Sequence, residues 1–249
     1  MSGHSKWHSI KHKKALVDAR KGKLFAKLIR AVEVAARDGG GVADSNPNLQ
    51  TAIDKARGAG MPTDTIERAI KRGTGELGGV SYETITYEGY APGGVALLVE
   101  VMTDNRNRAA AAVRSTLTKA GGSLGEPGSV AWMFTQRSVV LVPRDSIEED
   151  PLLEVVLEAG ADEIKEEGDS WMVVGEPSDL GPLKKAVEDA GLEIQSAELT
   201  MEPNAGVPLE LESARTVLRV IGELEDLDDV QEVYSNFDVP DDVLEEAAL

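Results

Sequence analysis

The sequence predicts an α+β protein, with an N-terminal three-helix domain followed by two α/β domains, the third inserted into the second. Three observations carry this. Apolar residues recur at helical spacing up to residue 73 and change to strand-like runs after residue 80. The glycine-rich stretch GTGELGG at 73–79 divides the two regimes. From residue 138 the elements read strand, helix, strand, strand, helix, strand, the βαββαβ order of a ferredoxin-like unit, with further elements beyond it. A chain of 249 residues, 41% hydrophobic and 28% charged, is long enough to bury two or three cores.

The helical part comes first. In KGKLFAKLIRAVEVAARDGGG, Leu24, Leu28, Ala31 and Ala35 recur at helical spacing, and Phe25, Ile29 and Val32 widen the stripe. Gly39–Gly41 end this helix, because glycine readily takes the left-handed cap conformation. The second helix has Asn46 as its cap, Pro47 in the first turn, and Leu49, Ala52, Ile53 and Ala56 on one face. The third starts at Pro62–Asp64, turns Ile66, Ala69 and Ile70 inward, and stops at Gly73 after Lys71 and Arg72. Each is too short to persist alone, so the three are expected to pack on one another.

YETITYEGY, VALLVEVMT and SVAWMF then read as strands, with a helix through NRAAAAVRSTLTKAGG between the second and third. The βαββαβ unit follows, and after EPNAGVPLE come a helix (ESARTVLRVIGELEDL) and a strand (VQEVYSNF). The strands before residue 136 and the elements after 206 are expected to share one sheet. The domains are therefore 1–79, 80–136 with 206–249, and 137–205.

Composition narrows the function. No cysteine is present, which excludes thiol chemistry and a disulfide framework and fits a reducing cytoplasm. Apolar runs are strand-sized, and none follows the basic start, so neither a membrane span nor a secretory signal is expected. The chain carries 26 Lys+Arg against 44 Asp+Glu, a net charge of −18, distributed unevenly. Residues 1–79 hold fifteen bases and eight acids, and the rest eleven bases and 36 acids, so the two parts carry +7 and −25. A polyanion is drawn to the front and repelled by the rear.

The front is built for such a partner. Lys23, Lys27, Arg30 and Arg37 fall in one narrow row of the first helix, outside its Leu24/Leu28 face, and are expected in solvent. Upstream, KWHSIKHKK interleaves bases with Trp7 and imidazoles: bases neutralise phosphates, and an aromatic ring stacks on an unpaired base. His4, His8 and His12 are spaced as metal ligands on a helix, but no cysteine or fixed carboxylate completes a site and lysines crowd it, so no metal or cofactor is expected. GTGELG matches the G-x-G-x-x-G pattern, yet it follows a helix and precedes strands, the reverse of a dinucleotide loop.

In TDNRNRAAAAVR, Asp104 is placed to cap a helix whose first turn contains Arg106 and Arg108. Cations there oppose the helix dipole and are tolerated best beside an anion, either a phosphate or one of the chain's carboxylates. The acidic clusters IEEDP, EIKEEGD, ELEDLDD and DDVLEEAA read as solvated faces. No nucleophile elbow, Walker loop or H-E-x-x-H occurs, and no enzyme is expected.

Seven segments, GHSKWHSIKHKK, GKLFAKLIR, NPNLQTAIDKA, MPTDTIERAIKRG, YEGYAPGGVALLVE, TDNRNRAAAAVR and GGSLGEPGSVAWMF, resemble the YebC/PmpR family of bacterial regulatory proteins, to which the mitochondrial translational activator of cytochrome oxidase is related. The resemblance covers most of residues 1–136 and returns at VYSNFDVP. It implies a helical first domain, two α/β domains with the third inserted, and control of gene expression. Family members are described as DNA-binding transcriptional regulators, and others as translation factors acting on ribosomes that stall at proline-rich sequences. The expected partner is therefore DNA, or rRNA and tRNA on the ribosome. A protein-interaction scaffold using the acidic domains is a third class. The expected nucleic-acid-binding residues are Lys6, Trp7, Lys11, His12, Lys13, Lys14, Lys21, Lys23, Lys27, Arg30, Arg106 and Arg108.

Overall fold

Helix α1 (Lys21–Gly39) ends where Gly40 adopts a φ of 86°. The structure, a computed structural model, describes residues 21–78, 81–240 and 243–244. Asn46 then caps α2 (Pro47–Gly58): its side-chain oxygen accepts from the Leu49 N–H, and its amide donates to the carbonyls of Ala35 and Gly40. One side chain thus fixes the start of α2 and its angle to α1. After α3 (Thr63–Gly73), the three helices enclose Val32, Ala36, Leu49, Ile53, Ala56 and Ile66. A Cβ at Gly73 would lie 2.3 Å from the Glu33 carbonyl oxygen, so glycine sets how closely α3 approaches α1. Arg72 ties the same helices through Glu33 at 2.5 Å.

Strands β1 (Glu83–Tyr90) and β2 (Ala96–Thr103) form an antiparallel hairpin in register from Glu83↔Thr103 to Tyr90↔Ala96. Helix α4 (Arg106–Lys119) and the short β3 (Ser123–Leu124) follow. Next comes β4 (Phe134–Pro143), α5 (Glu149–Leu157), β5 (Ala161–Glu167), β6 (Ser170–Gly175), α6 (Leu180–Asp189) and β7 (Ser196–Pro203). The chain finishes with β8 (Val207–Pro208), α7 (Leu211–Glu225), β9 (Val230–Ser235) and β10 (Phe237–Asp238).

The first sheet has the order β3-β1-β2-β9, so the final long strand returns beside β2. The second has the order β5-β6-β4-β7 with every pair antiparallel, as the ferredoxin-like reading requires. Strand alternation sorts the β2 side chains. Leu97, Val99 and Val101 pack in one cluster with Val113 of α4 and Ile221 of α7, whereas Ala96 and Leu98 join Phe134, Tyr234 and Met201. The second core gathers Val140, Val142 and Val173 with Leu152 of α5 and Leu183 of α6.

Two local expectations change. SVAWMF is not a strand: Ala131–Met133 is a 3-10 turn, and Phe134 begins β4, which runs through residues 136–137 without a break. The cause is the buried Glu88 carboxylate, which takes the N–H groups of Gly128, Val130 and Ala131 and leaves none of these three for a ladder. The third strand of the first sheet is instead β3, paired with Gly89 and Tyr90. At α4 the cap is Asn105 rather than Asp104, its side chain accepting from the Arg108 N–H. Among the described residues, no helix is long and apolar enough to cross a membrane.

Candidate nucleic-acid interface

Of the expected binding residues, Lys6, Trp7, Lys11, His12, Lys13 and Lys14 lie outside the described residues, as do all three histidines, and Lys21 opens α1. The α1 row is described in full and faces a partner within the chain. Lys27 Nζ donates to the Glu225 carbonyl at 2.7 Å and Lys23 Nζ to the Asp226 carbonyl at 3.2 Å. Arg30 donates to the Asp228 carbonyl, lies 3.6 Å from the Asp229 carboxylate, and stacks over the Tyr82 ring 5.5 Å from its centroid. Arg37 donates to the Tyr82 carbonyl.

The row was expected in solvent, and the structure corrects that expectation. Lys23 and Arg37, at the two ends of the row, stay exposed, but Lys27 is partly buried, the Arg30 side chain is 17% exposed, and Val34 in the same row is buried. The physical reason lies in ELEDLDD, read from the sequence as a solvated face. It forms the C-terminal end of α7 and the turn into β9, where the carbonyl end of the helix adds a negative dipole to five carboxylates. The nearest counter-charge to the row is therefore intramolecular.

Arg108 takes the carboxylate arrangement of the two left open. Its guanidinium donates to Asp229 at 2.8 Å and to Asp104 at 2.7 Å. Those two contacts, Asp229 first, raise the Arg108 pKa, and Arg108 holds the Asp104 carboxyl below its ordinary range. Arg106 stands apart from this cluster, largely exposed and 3.7 Å from Glu83. Asp229 thus receives Arg30 from α1 and Arg108 from α4, and the Thr103 hydroxyl as well at 3.1 Å. Beside it a cavity of about 170 Å³, lined mainly by Val101, Ala109, Val113 and Leu227, is below the size of an ordinary ligand pocket.

Two further features escaped the sequence reading. Arg57, Arg68 and Lys71 are exposed on α2 and α3. Trp132 is 69% exposed on the turn that Glu88 holds, its indole N–H donated to the Ser129 carbonyl at 3.2 Å. The SVAWMF strand assignment obscured it, since alternation there assigns Trp132 to a sheet face. Among the described residues, no group of three or more His, Cys, Asp and Glu is arranged to hold a metal. Gly73 closes a helix and β1 starts at Glu83, so GTGELG lies between helix and strand as expected.

Comparison with known proteins gives two family matches: residues 5–76 match the model described as the TACO1/YebC protein N-terminal domain, and residues 82–237 the TACO1/YebC second and third domain. A protein of Acidothermus cellulolyticus named "Probable transcriptional regulatory protein" is 55% identical over 99% of this chain and 100% of its own length. A Saccharopolyspora erythraea protein of the same name is 56% identical over 99% of each chain. The crystal structure of a conserved hypothetical protein from Aquifex aeolicus superposes with a TM-score of 0.83 at 44% identity, covering 91% of this chain and 94% of the other.

Proposed function

The chain belongs to the TACO1/YebC family, and from that premise we propose that it is a nucleic-acid-binding regulator of gene expression, acting on DNA through its basic helical front. The observation that supports this best is the opposition of sign, +7 over residues 1–79 against −25 over the rest. Charge is a statement about partners rather than about fold, and this layout suits a phosphate backbone at one end only. The names of the curated relatives agree with a regulatory, non-enzymatic role. The binding residues in this reading are Lys6, Trp7, Lys11, His12, Lys13, Lys14 and Lys21, continued along α1 by Lys23, Lys27 and Arg30, with Arg106 exposed nearby in sequence to the Arg108 ion pair.

A second reading, a translation factor on ribosomal or transfer RNA, is favoured by one specific observation. In a helix-turn-helix, α3 would be the recognition helix, yet it exposes Asp64 and Glu67 beside Arg68 and Lys71. Carboxylates suit few positions in a duplex groove, whereas a basic surface with an aromatic grips backbones and unpaired bases.

Titration of the full chain with a short DNA duplex and a short structured RNA across a salt series tests both readings. About six phosphate contacts give a slope of log K against log salt near −5 on duplex DNA. Replacing Lys11, Lys13, Lys14, Lys23, Lys27 and Arg30 by Ala flattens that slope; an unchanged slope overturns nucleic-acid binding by the front. Trp7→Ala weakens RNA binding more than duplex binding if the second reading holds, and equally if the first does.

A further inference from the structure

We propose that the Glu225–Asp229 corner is an internal stand-in for a phosphate backbone, so that nucleic acid and this corner compete for the Lys23/Lys27/Arg30 row of α1. The inference rests on the reading above, that the row binds nucleic acid, and adds how that binding is restrained.

The acceptors have the right chemistry. The three cations span about 10 Å along α1, at about 1.5 Å per residue. Each donates to a different carbonyl in the stretch Glu225, Asp226 and Asp228, and the carboxylates of Asp226 and Asp229 lie 3.6 Å from Lys23 and Arg30. The row thus meets a line of negatively polarised oxygens at the carbonyl end of α7. A nucleic-acid strand presents the same thing, anionic oxygens at short intervals.

The contact is also built to open. The helical bundle keeps its own core of Val32, Leu49, Ile53 and Ile66. What joins it to the rest is largely polar: the α1 row, Lys55 with Glu198, Lys184 with Asp54 at 3.0 Å, and Arg37 with the Tyr82 carbonyl. Lys23 with Asp226 and Lys184 with Asp54, open to solvent on both sides, are weak and screened by salt, whereas Arg30 with Asp229 is shielded on both sides. The corner itself stays formed when the bundle leaves, because Arg108 and Thr103 hold Asp229 from below. A latch closed in nine molecules of ten lowers apparent affinity about tenfold without touching a binding residue.

The test uses the full chain. Asp226→Arg with Asp228→Arg sets like charge against the row; both positions are exposed. Glu154→Arg with Glu158→Arg, exposed on and just after α5, makes the same change in net charge elsewhere. Measured by fluorescence anisotropy on a short single-stranded RNA and a short DNA duplex, the corner variant binds about tenfold more tightly than the control variant. Equal affinity of the two overturns the latch. Lys23→Ala, Lys27→Ala and Arg30→Ala together then separate the two claims. If they weaken binding while the corner variant gains nothing, the latch alone fails; if they leave binding unchanged, the row does not bind nucleic acid. A second measurement does not depend on the corner variant folding. The chain has no cysteine, so Asp64→Cys and Glu212→Cys place two dyes on the bundle and on the start of α7. Energy transfer between them falls as RNA binds, and unchanged transfer at saturating RNA overturns the latch.

Discussion

Replacing Glu88 by Gln isolates what one buried carboxylate does for the turn that carries the chain from the first sheet into the second. In the native fold Oε1 accepts from the Gly128 N–H at 2.6 Å, and Oε2 from Val130 at 2.7 Å and Ala131 at 2.8 Å. Glutamine keeps the shape but offers one acceptor oxygen. With that oxygen turned to Val130 and Ala131, the Gly128 N–H faces an NH2 group. A stranded donor costs about 1–3 kcal/mol, and the two surviving bonds lose their charge assistance, so the expected loss is about 3 kcal/mol. Burial pushes the Glu88 carboxyl up, but the N–H donors of Gly128, Val130, Ala131 and Ser129 outweigh it and bring it below the ordinary 4.5. A carboxyl depressed in the folded state contributes stability that is fully present above its unfolded value and lost as pH falls through its folded one. The gap between the native chain and Glu88→Gln is therefore constant near neutrality and closes on acidification below 4.5. Urea unfolding across pH gives the gap, and hydrogen exchange at Gly128, Val130 and Ala131 shows whether the loss is local. A variant that unfolds at the native urea concentration at neutral pH, with those amides still protected, would refute the reasoning.

Other substitutions have separate expectations. Arg108→Gln lowers the melting temperature because it strips Asp229 and Asp104 of their guanidinium, while Arg106→Gln, loosely placed near Glu83, leaves it unchanged; the opposite order in a melting series contradicts the ion-pair assignment. Gly73→Ala drives a Cβ into the Glu33 carbonyl at 2.3 Å and costs about 1–3 kcal/mol, whereas Gly58→Ala meets nothing within 4 Å and stabilises by up to about 1 kcal/mol, both read by urea unfolding. Burial first, then Glu232, pushes the Glu100 carboxyl up, so protonation favours the fold and ionisation burdens it as pH rises past 4.5. Glu100→Gln should therefore unfold at higher temperature than the native chain at neutral pH and lose that advantage in acid; an equal gain at both ends counts against burial as the cause.

The elements with local signatures were legible in the sequence. Asn46 before Pro47, Gly40 after α1 and Gly73 at the end of α3 each mark a boundary through backbone chemistry that neighbours do not override. The βαββαβ order was legible for the same reason, since each of its strands and helices has its own period. SVAWMF was misread because the deciding group, Glu88, lies forty residues from Gly128 in the chain. The α1 row was legible as a stripe but not as a contact. Helical periodicity says which face a residue shares, and only the return of the chain at Glu225–Asp229, 198 residues beyond Lys27, says what that face meets. Trp132 sits in a run whose alternation misleads, because a turn held by a remote side chain has no true repeat to read.

The insertion also sets an order of events during synthesis. Phe134 and Pro203 are register partners on neighbouring strands, so the second sheet enters and leaves at one point and contains all its own partners. It is complete once β7 has emerged. The first sheet is not: β2 ends at Thr103, and β9 starts at Val230. With translation at about 5–20 residues per second, β2 waits several seconds or more for that neighbour, its Leu97, Val99 and Val101 face uncovered by α7. The early-made sheet is thus the last to close, and it closes around a finished insert. Any aggregation of nascent chains should begin from the β2 edge, in the interval before the C-terminal strand is released.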